Sequence, residues 1–274
     1  MEKKLFCERG PLAYKLSVKK ESFKRFIRDQ FTTEQFARTK SESTLPELWA
    51  EHSSVIVRRL NGVDLRLQEN KRQNLRLAGE RVNGLIIHPG ETFSFWQTVG
   101  KPSARKGYLE GLVIEQGKVG SGIGGGLCQL GNLIHYMVLH SPLEVTELHH
   151  HSDALFPDER RRVPFGTGTS ISYNYIDYRF KNTGIYDVQI LIWDDGEELK
   201  GQLRSSGKNP YRYELTEEDH HFSKEDDGYY RNSKVYRLTV GKRTNKVMKK
   251  ELILDNHSKV LYDPALIPPE QIRQ

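Results

Sequence analysis

The stretch Gly117-Lys-Val-Gly-Ser-Gly-Ile-Gly-Gly-Gly126 constrains this chain more than any other, because six of its ten residues are glycine. Glycine is entropically costly in a regular element and lets a backbone approach a ligand closely. The run therefore reads as a loop. It opens into Leu127-Cys128-Gln129 and an apolar pattern at Leu130, Leu133, Ile134, Met137 and Val138, whose spacing predicts a helix to about His140. Ser141-Pro142 stops that helix. A loop of this kind before a helix exposes free amides and the positive end of the dipole. Cys128 falls in the first turn and off the apolar stripe, where such surroundings favour the thiolate.

A thiolate nucleophile needs a base, and the base needs an orienting group. A strand predicted over 143–151 ends in His149, His150 and His151, and alternation puts His149 and His151 on one face. A later predicted strand, 169–180, carries Asn174 and Asp177. Papain-like and transglutaminase-like cysteine enzymes share this order in outline. In this reading Cys128 is the nucleophile, His149 or His151 the base and Asp177 the orienting carboxylate. Gly124, Gly125 and Gly126, with Gln129, form the cradle for an oxyanion.

Other readings stay open. In a non-catalytic module the glycine loop would hold a peptide or an anion while Cys128 only packs. His149 and His151, with Cys128 or Asp153, have the chemistry of a zinc site; the cysteine reading calls for no cofactor. Gly120-Ser-Gly-Ile-Gly-Gly125 spells a dinucleotide-binding string, but no alternation of strands and helices follows it. His135 lies two turns from Cys128, too far for a base, and reads as structural.

The flanks divide the chain into a basic helical N-terminal region (1–65), a core (66–205) and a C-terminal extension of β-hairpins (206–274). Ser22 caps a predicted helix with Phe23, Phe26, Ile27 and Phe31 along one line and Lys19, Lys20, Lys24, Arg25 and Arg28 around it. Such a helix either packs on a core with its basic face solvated or faces an anionic surface. A second helix is predicted over 64–81, and strands over 84–87, 92–96, 112–115, 185–193 and 198–204. The fold class expected is α+β: N-terminal helices, a central helix opened by a glycine-rich loop, an antiparallel sheet and C-terminal hairpins. No apolar run approaches the roughly 18 residues of a spanning helix, and the N-terminus lacks the apolar stretch of a secretory signal, so a cytoplasmic location is expected. Cys7 and Cys128 make no disulfide framework. A net charge of +6 fits an anionic partner, but no nucleic-acid-binding motif is present.

Asn83-Gly-Leu-Ile-Ile-His-Pro-Gly-Glu-Thr-Phe-Ser-Phe95, with Val99-Gly100 and Gly107-Tyr108, resembles the VanW family. The resemblance continues through Gly124-Gly-Gly-Leu-Cys-Gln129 and Glu147-Leu-His-His-His-Ser152 to the strand around Asp177 and Asn182, covering about residues 66–205. The family pattern marks Gly124, Gly125, Gly126, Cys128, Gln129, His149, His151, Ser152 and Asp177, with His150 at a variable position. Many members have Gly-x-Asp-Ala-Thr-Val where this chain has Gly166-Thr-Gly-Thr-Ser-Ile171, which removes one acidic candidate and leaves Asp177. The family is named for an accessory protein of vancomycin-resistance gene clusters. The resemblance thus implies a setting of cell-wall glycopeptide resistance, with a peptide or cell-wall precursor as substrate, and no particular reaction.

Overall fold

A computed structural model describes residues 5–57, 64–115, 118–150, 153–155, 157 and 163–273. Helix α1 (Pro11–Phe31) is followed by β1 (Glu47–Val55), α2 (Leu65–Val82), β2 (Leu85–Ile87), β3 (Thr92–Ser94) and α3 (Phe95–Val99). A hairpin of β4 (Glu110–Glu115) and β5 (Lys118–Ile123) leads into α4 (Cys128–Leu139), β6 (Glu144–Glu147), β7 (Asp153–Ala154) and β8 (Arg179–Lys181). Then come β9 (Val188–Asp194), β10 (Glu198–Ser205), β11 (Tyr211–Glu225), β12 (Gly228–Gly241), β13 (Val247–Val260) and β14 (Ile272–Arg273). The class is α+β, as the sequence predicts.

Strict alternation along β10 buries Leu199, Gly201, Leu203 and Ser205, so one face of this strand must meet a core. It pairs antiparallel with β1 and β9, and β2 completes a sheet ordered β1-β10-β9-β2. The apolar stripe of α4 lies on β1 and β10, with Leu130, Ile134, Met137 and Val138 fully buried. Burying each such side chain contributes about 1.5–3 kcal/mol. A Cβ on Gly201 would strike Met137 and Leu133, so glycine is what lets the helix lie so close. Helix α2 starts at Asp64, whose carboxylate accepts from the Arg66 amide at 2.8 Å, and buries Leu75, Ala78 and Val82. A second sheet, β3-β8-β6, closes the same core with Phe93, Tyr178 and Phe180. The long C-terminal strands form a sheet ordered β14-β11-β12-β13-β7 over a small cluster of their own: Ala154, Phe165, Phe222, Val260 and Ile267.

Several elements depart from expectation. Helix α1 does not begin at Ser22; it starts eleven residues earlier, at Pro11, where a missing N–H costs nothing. A strand, β1, occupies Glu47–Val55 inside the N-terminal region read as helical. The glycine run is not all loop. Gly120 and Gly122 sit in β5, opposite Val113 and Gly111 of β4, while Gly117 lies outside the described residues. The strand expected over 143–151 ends at Glu147, after a bulge between Val145 and Glu147, so strand alternation does not set the faces of the histidines. Of 169–180 only Arg179 and Phe180 are strand, at the start of β8; a turn at 172–176, with Asn174 at φ +50°, takes up the preceding residues.

His135 is on the buried face of α4 with its Nδ1 at 3.0 Å from the Tyr178 hydroxyl, and burial pushes its imidazole down to about 3. It is structural, as read from the sequence. The unfolded chain takes up a proton below about 6.5 that the folded state refuses. Stability is therefore complete above that pH and falls by about 1.4 kcal/mol per pH unit on the way down to about 3. Urea unfolding between pH 7 and 4.5 should show this slope, and His135→Gln should flatten it.

Candidate functional site

The cradle before α4 is assembled by close backbone approach. Gly125 lies against Gly111 of β4, and a Cβ on either would strike the other's carbonyl. Gly126, at φ +91°, lies on the Lys71 side chain. From the buried face of α2, Asn74 clamps the turn: its Nδ2 donates to the carbonyls of Leu109 (3.0 Å) and Gly125 (2.9 Å), and its Oδ1 accepts from the Leu109 amide (2.8 Å). Sequence reasoning missed Asn74 and Lys71. The available signal was polar residues at Gln68, Lys71 and Asn74 on the side of α2 that turns inward.

Not all of the proposed cradle is free to receive a ligand. The Gly124 amide donates to Leu109 O and the Gly125 amide to Gly122 O. The Gln129 side chain is anchored on β1, donating to Ser54 Oγ and Val55 O, both at 2.9 Å. The amides of Gly126 and Leu127 have no acceptor among the described residues, and the Cys128 N–H is turned to its own sulfur. The open donors are thus narrowed to the last step before the helix.

Cys128 is partly exposed at the first position of α4, and its Sγ donates weakly to Ile171 O at 3.9 Å. Burial among its neighbours raises the thiol pKa, with the Ile171 contact and its own amide offsetting part of the effect. Desolvation thus works against the thiolate that the helix start was expected to favour.

One short segment lies between this cysteine and the first histidine. The Ser170 amide donates to His149 O at 2.6 Å, and the carbonyl of the next residue, Ile171 O, receives the thiol. His149 turns Nε2 to Glu147 (3.0 Å) and His150 turns Nδ1 to Gly166 O (2.9 Å); neither is hydrogen-bonded to Cys128. His151 and Ser152 lie outside the described residues.

Asp177 meets no imidazole among the described residues. It is fully buried, and its carboxylate accepts from Ser94 Oγ (2.5 Å), the Trp96 amide (3.1 Å), the Tyr178 amide (2.9 Å) and Arg179 Nε (2.8 Å). The carboxylate on His149 is Glu147, which also accepts both Nη groups of buried Arg25 from α1 (2.7 and 2.6 Å) and the Asp177 amide (3.1 Å). Burial pushes the Glu147 carboxyl up, but Arg25 and His149 outweigh it and hold it at about 2. Arg179 reaches across to Asp29 of α1 at 2.6 Å, and its guanidinium lies over the Phe36 ring. A cavity of about 380 Å³ opens between α4, β6 and the β12–β13 hairpin, lined in part by His135, Glu147, His150, Arg237 and Leu254; Cys128 is not in its wall.

Two substitutions test this geometry. Gly125→Ala should cost about 1–3 kcal/mol through overpacking against Gly111, read by urea unfolding. Glu147→Gln leaves Arg25 buried without its counter-ion and should cost about 3–5 kcal/mol near neutral pH. Because the Glu147 pKa is depressed, its contribution is full above about 4.5 and is lost as pH falls toward 2. The variant and the parent should therefore converge in stability in acid.

The comparisons with known proteins fall on this same region. A family profile described as "VanW like protein" matches residues 70–204. The chain is 33% identical over 227 residues to the Vancomycin B-type resistance protein VanW of Enterococcus faecalis, covering 83% of this chain and 82% of that protein. It is 30% identical over 124 residues to the uncharacterized protein YoaR of Bacillus subtilis, covering 45% of this chain and 39% of YoaR. No solved structure matches it. With its glycine turn, Cys128 and Glu147 all inside the matched span, the chain belongs to the VanW family.

Proposed function

We propose that this chain acts in vancomycin-type glycopeptide resistance as a cysteine-dependent enzyme, an acyl transferase or amide hydrolase working on a cell-wall peptide. The setting is carried by its likeness to a protein named for vancomycin resistance. The observation that supports the chemistry is the pair of amides, Gly126 and Leu127, that no described residue accepts from, immediately before a partly exposed cysteine at a helix start. That is where an oxyanion would form if Cys128 Sγ attacked a peptide carbonyl. The C–S bond forms, the C–N bond breaks, and the departing amine takes the proton lost by the thiol. The thioester then passes its acyl group to water or to a second amine.

In this reading His149 is the base and Glu147, in the place first given to Asp177, supports the imidazolium. His149 has a side chain 43% exposed, which leaves it room to turn over the 170–171 segment toward the thiol. The resting enzyme holds a protonated thiol, and bound peptide completes the pair.

The raised thiol pKa and the lack of a Cys128–His149 hydrogen bond favour a second reading, in which the same amides hold a peptide carboxylate or carbonyl and no bond is made. A synthetic cell-wall stem peptide, intact-protein mass spectrometry and a Cys7→Ser background separate the two. An acyl adduct on Cys128, lost in Cys128→Ala and formed about 100-fold or more slowly in His149→Ala, is the expected result. Peptide bound equally by the parent and Cys128→Ala, with no adduct in either, would leave the binding reading in its place.

A further inference from the structure

Helix α1 is docked with its polarity reversed. The face against the core is the charged one: Arg25 on Glu147, Asp29 on Arg179 and Gln97, and the Ser22 carbonyl receiving Asn174 Nδ2 at 2.8 Å. The opposite face carries Leu12, Leu16, Phe23 and Ile27, with Phe26 and Phe31 at its edges, and all six are exposed; Phe23 is 64% and Phe31 83% accessible. Leu5 and Phe6, just before the helix, are exposed as well. Both sequence readings of this helix put the phenylalanines on one line, and the structure turns that line outward. An apolar stripe over five turns left in water is costly, and large exposed apolar patches mark docking surfaces.

The charges around the stripe say what kind of surface. Lys15 and Lys19 lie on one flank and Lys20, Lys24 and Arg28 on the other by helical spacing, and all five are exposed. Of the two acidic residues of α1, Asp29 is docked on the core and Glu21 already takes both Lys20 and Lys24. A second copy of this helix would bring lysine against lysine. An apolar face of phenylalanine and leucine flanked by lysine and arginine fits a bilayer interface, with the rings among the acyl chains and the cations on anionic headgroups.

We propose that α1 is a membrane-surface anchor, seating the protein on anionic lipid with the helix axis in the plane of the interface. The ionic latch on its other face holds the core against the bound helix. This inference rests on α1 alone and is independent of the chemistry at Cys128.

The test is co-sedimentation of the full chain with phosphatidylcholine vesicles, with and without phosphatidylglycerol. The parent should pellet with the anionic vesicles and be released by salt. Phe23→Ser/Ile27→Ser and Lys19→Glu/Lys24→Glu should each weaken binding by about tenfold or more, with unchanged thermal unfolding because these side chains are exposed. Should the serine variant lose its cooperative melt, Phe23→Trp gives the same answer, since its added emission must shift to the blue on anionic vesicles. The proposal is overturned if the parent does not pellet, if both variants bind as the parent does, or if Phe23→Trp emission stays unchanged. A parent that is dimeric, fails to pellet and becomes monomeric in Phe23→Ser/Ile27→Ser would overturn it in favour of a self-interface.

Discussion

The alternating line of charge from Arg25 through Glu147 and Arg179 to Asp177 and Asp29 ties helix α1, whose apolar face is turned away, to segments that already share the apolar core. It joins α1, the strand β6, the start of α3 and the strand β8. Removing charges from water is expensive, and close pairing offsets it; in this knot Arg25 Nε and Asp29 Oδ1 are buried without a hydrogen-bond partner among the described residues. Here Asp177 accepts four hydrogen bonds and Glu147 is met by an arginine, an imidazole and a backbone amide. Burial lowers the Arg179 pKa and its carboxylates outweigh this, so the guanidinium stays charged. Geometry this demanding leaves each segment one place to sit. The histidine region inherits its position from that knot, since the chain leaves β6 at a residue whose side chain the knot has already claimed.

Much of this was legible in the residues. Leu130, Leu133, Ile134, Met137 and Val138 announce α4 because a helix with one buried face has no other economical pattern, and Ser141-Pro142 marks its end. The C-terminal hairpins declare themselves by long alternation and polar turns. The glycine run misleads because propensity disfavours glycine in strands, yet Gly120 and Gly122 pair with Val113 and Gly111 of β4, and the ladder overrides the local preference. The histidine strand fails for a different reason. What ends it is Glu147 turning to Arg25, a residue 122 positions away, and no local window contains that information. Asp177 stood out as a site residue, but its role follows from donors on the distant stretch 94–96 and on the two residues after it.

The candidate site inherits both kinds of information. Cys128 at a helix start, and the amides before it, are local features that spacing alone reveals. Asn74, which holds the turn in place from α2, becomes visible only once two stretches of chain lie side by side. The partner of His149 changes from an aspartate to a glutamate two residues upstream for the same reason: Asp177 is taken by arginine and by the α3 start, leaving Glu147 nearest the ring.

The two-residue strand β7 carries a consequence for how the molecule comes together. Asp153 and Ala154 lie parallel to Lys259 and Val260 at the edge of the C-terminal sheet, and the Leu261 amide closes on Ala154 O. Contacts so distant in sequence form slowly, because the loop entropy is lost before the contact rewards it. On a ribosome, the stretch that follows the histidines has no strand to lie against until synthesis has passed Val260. The neighbourhood of the candidate base is thus among the last regions to take its final shape, and the far hairpin serves as the late clasp that completes it.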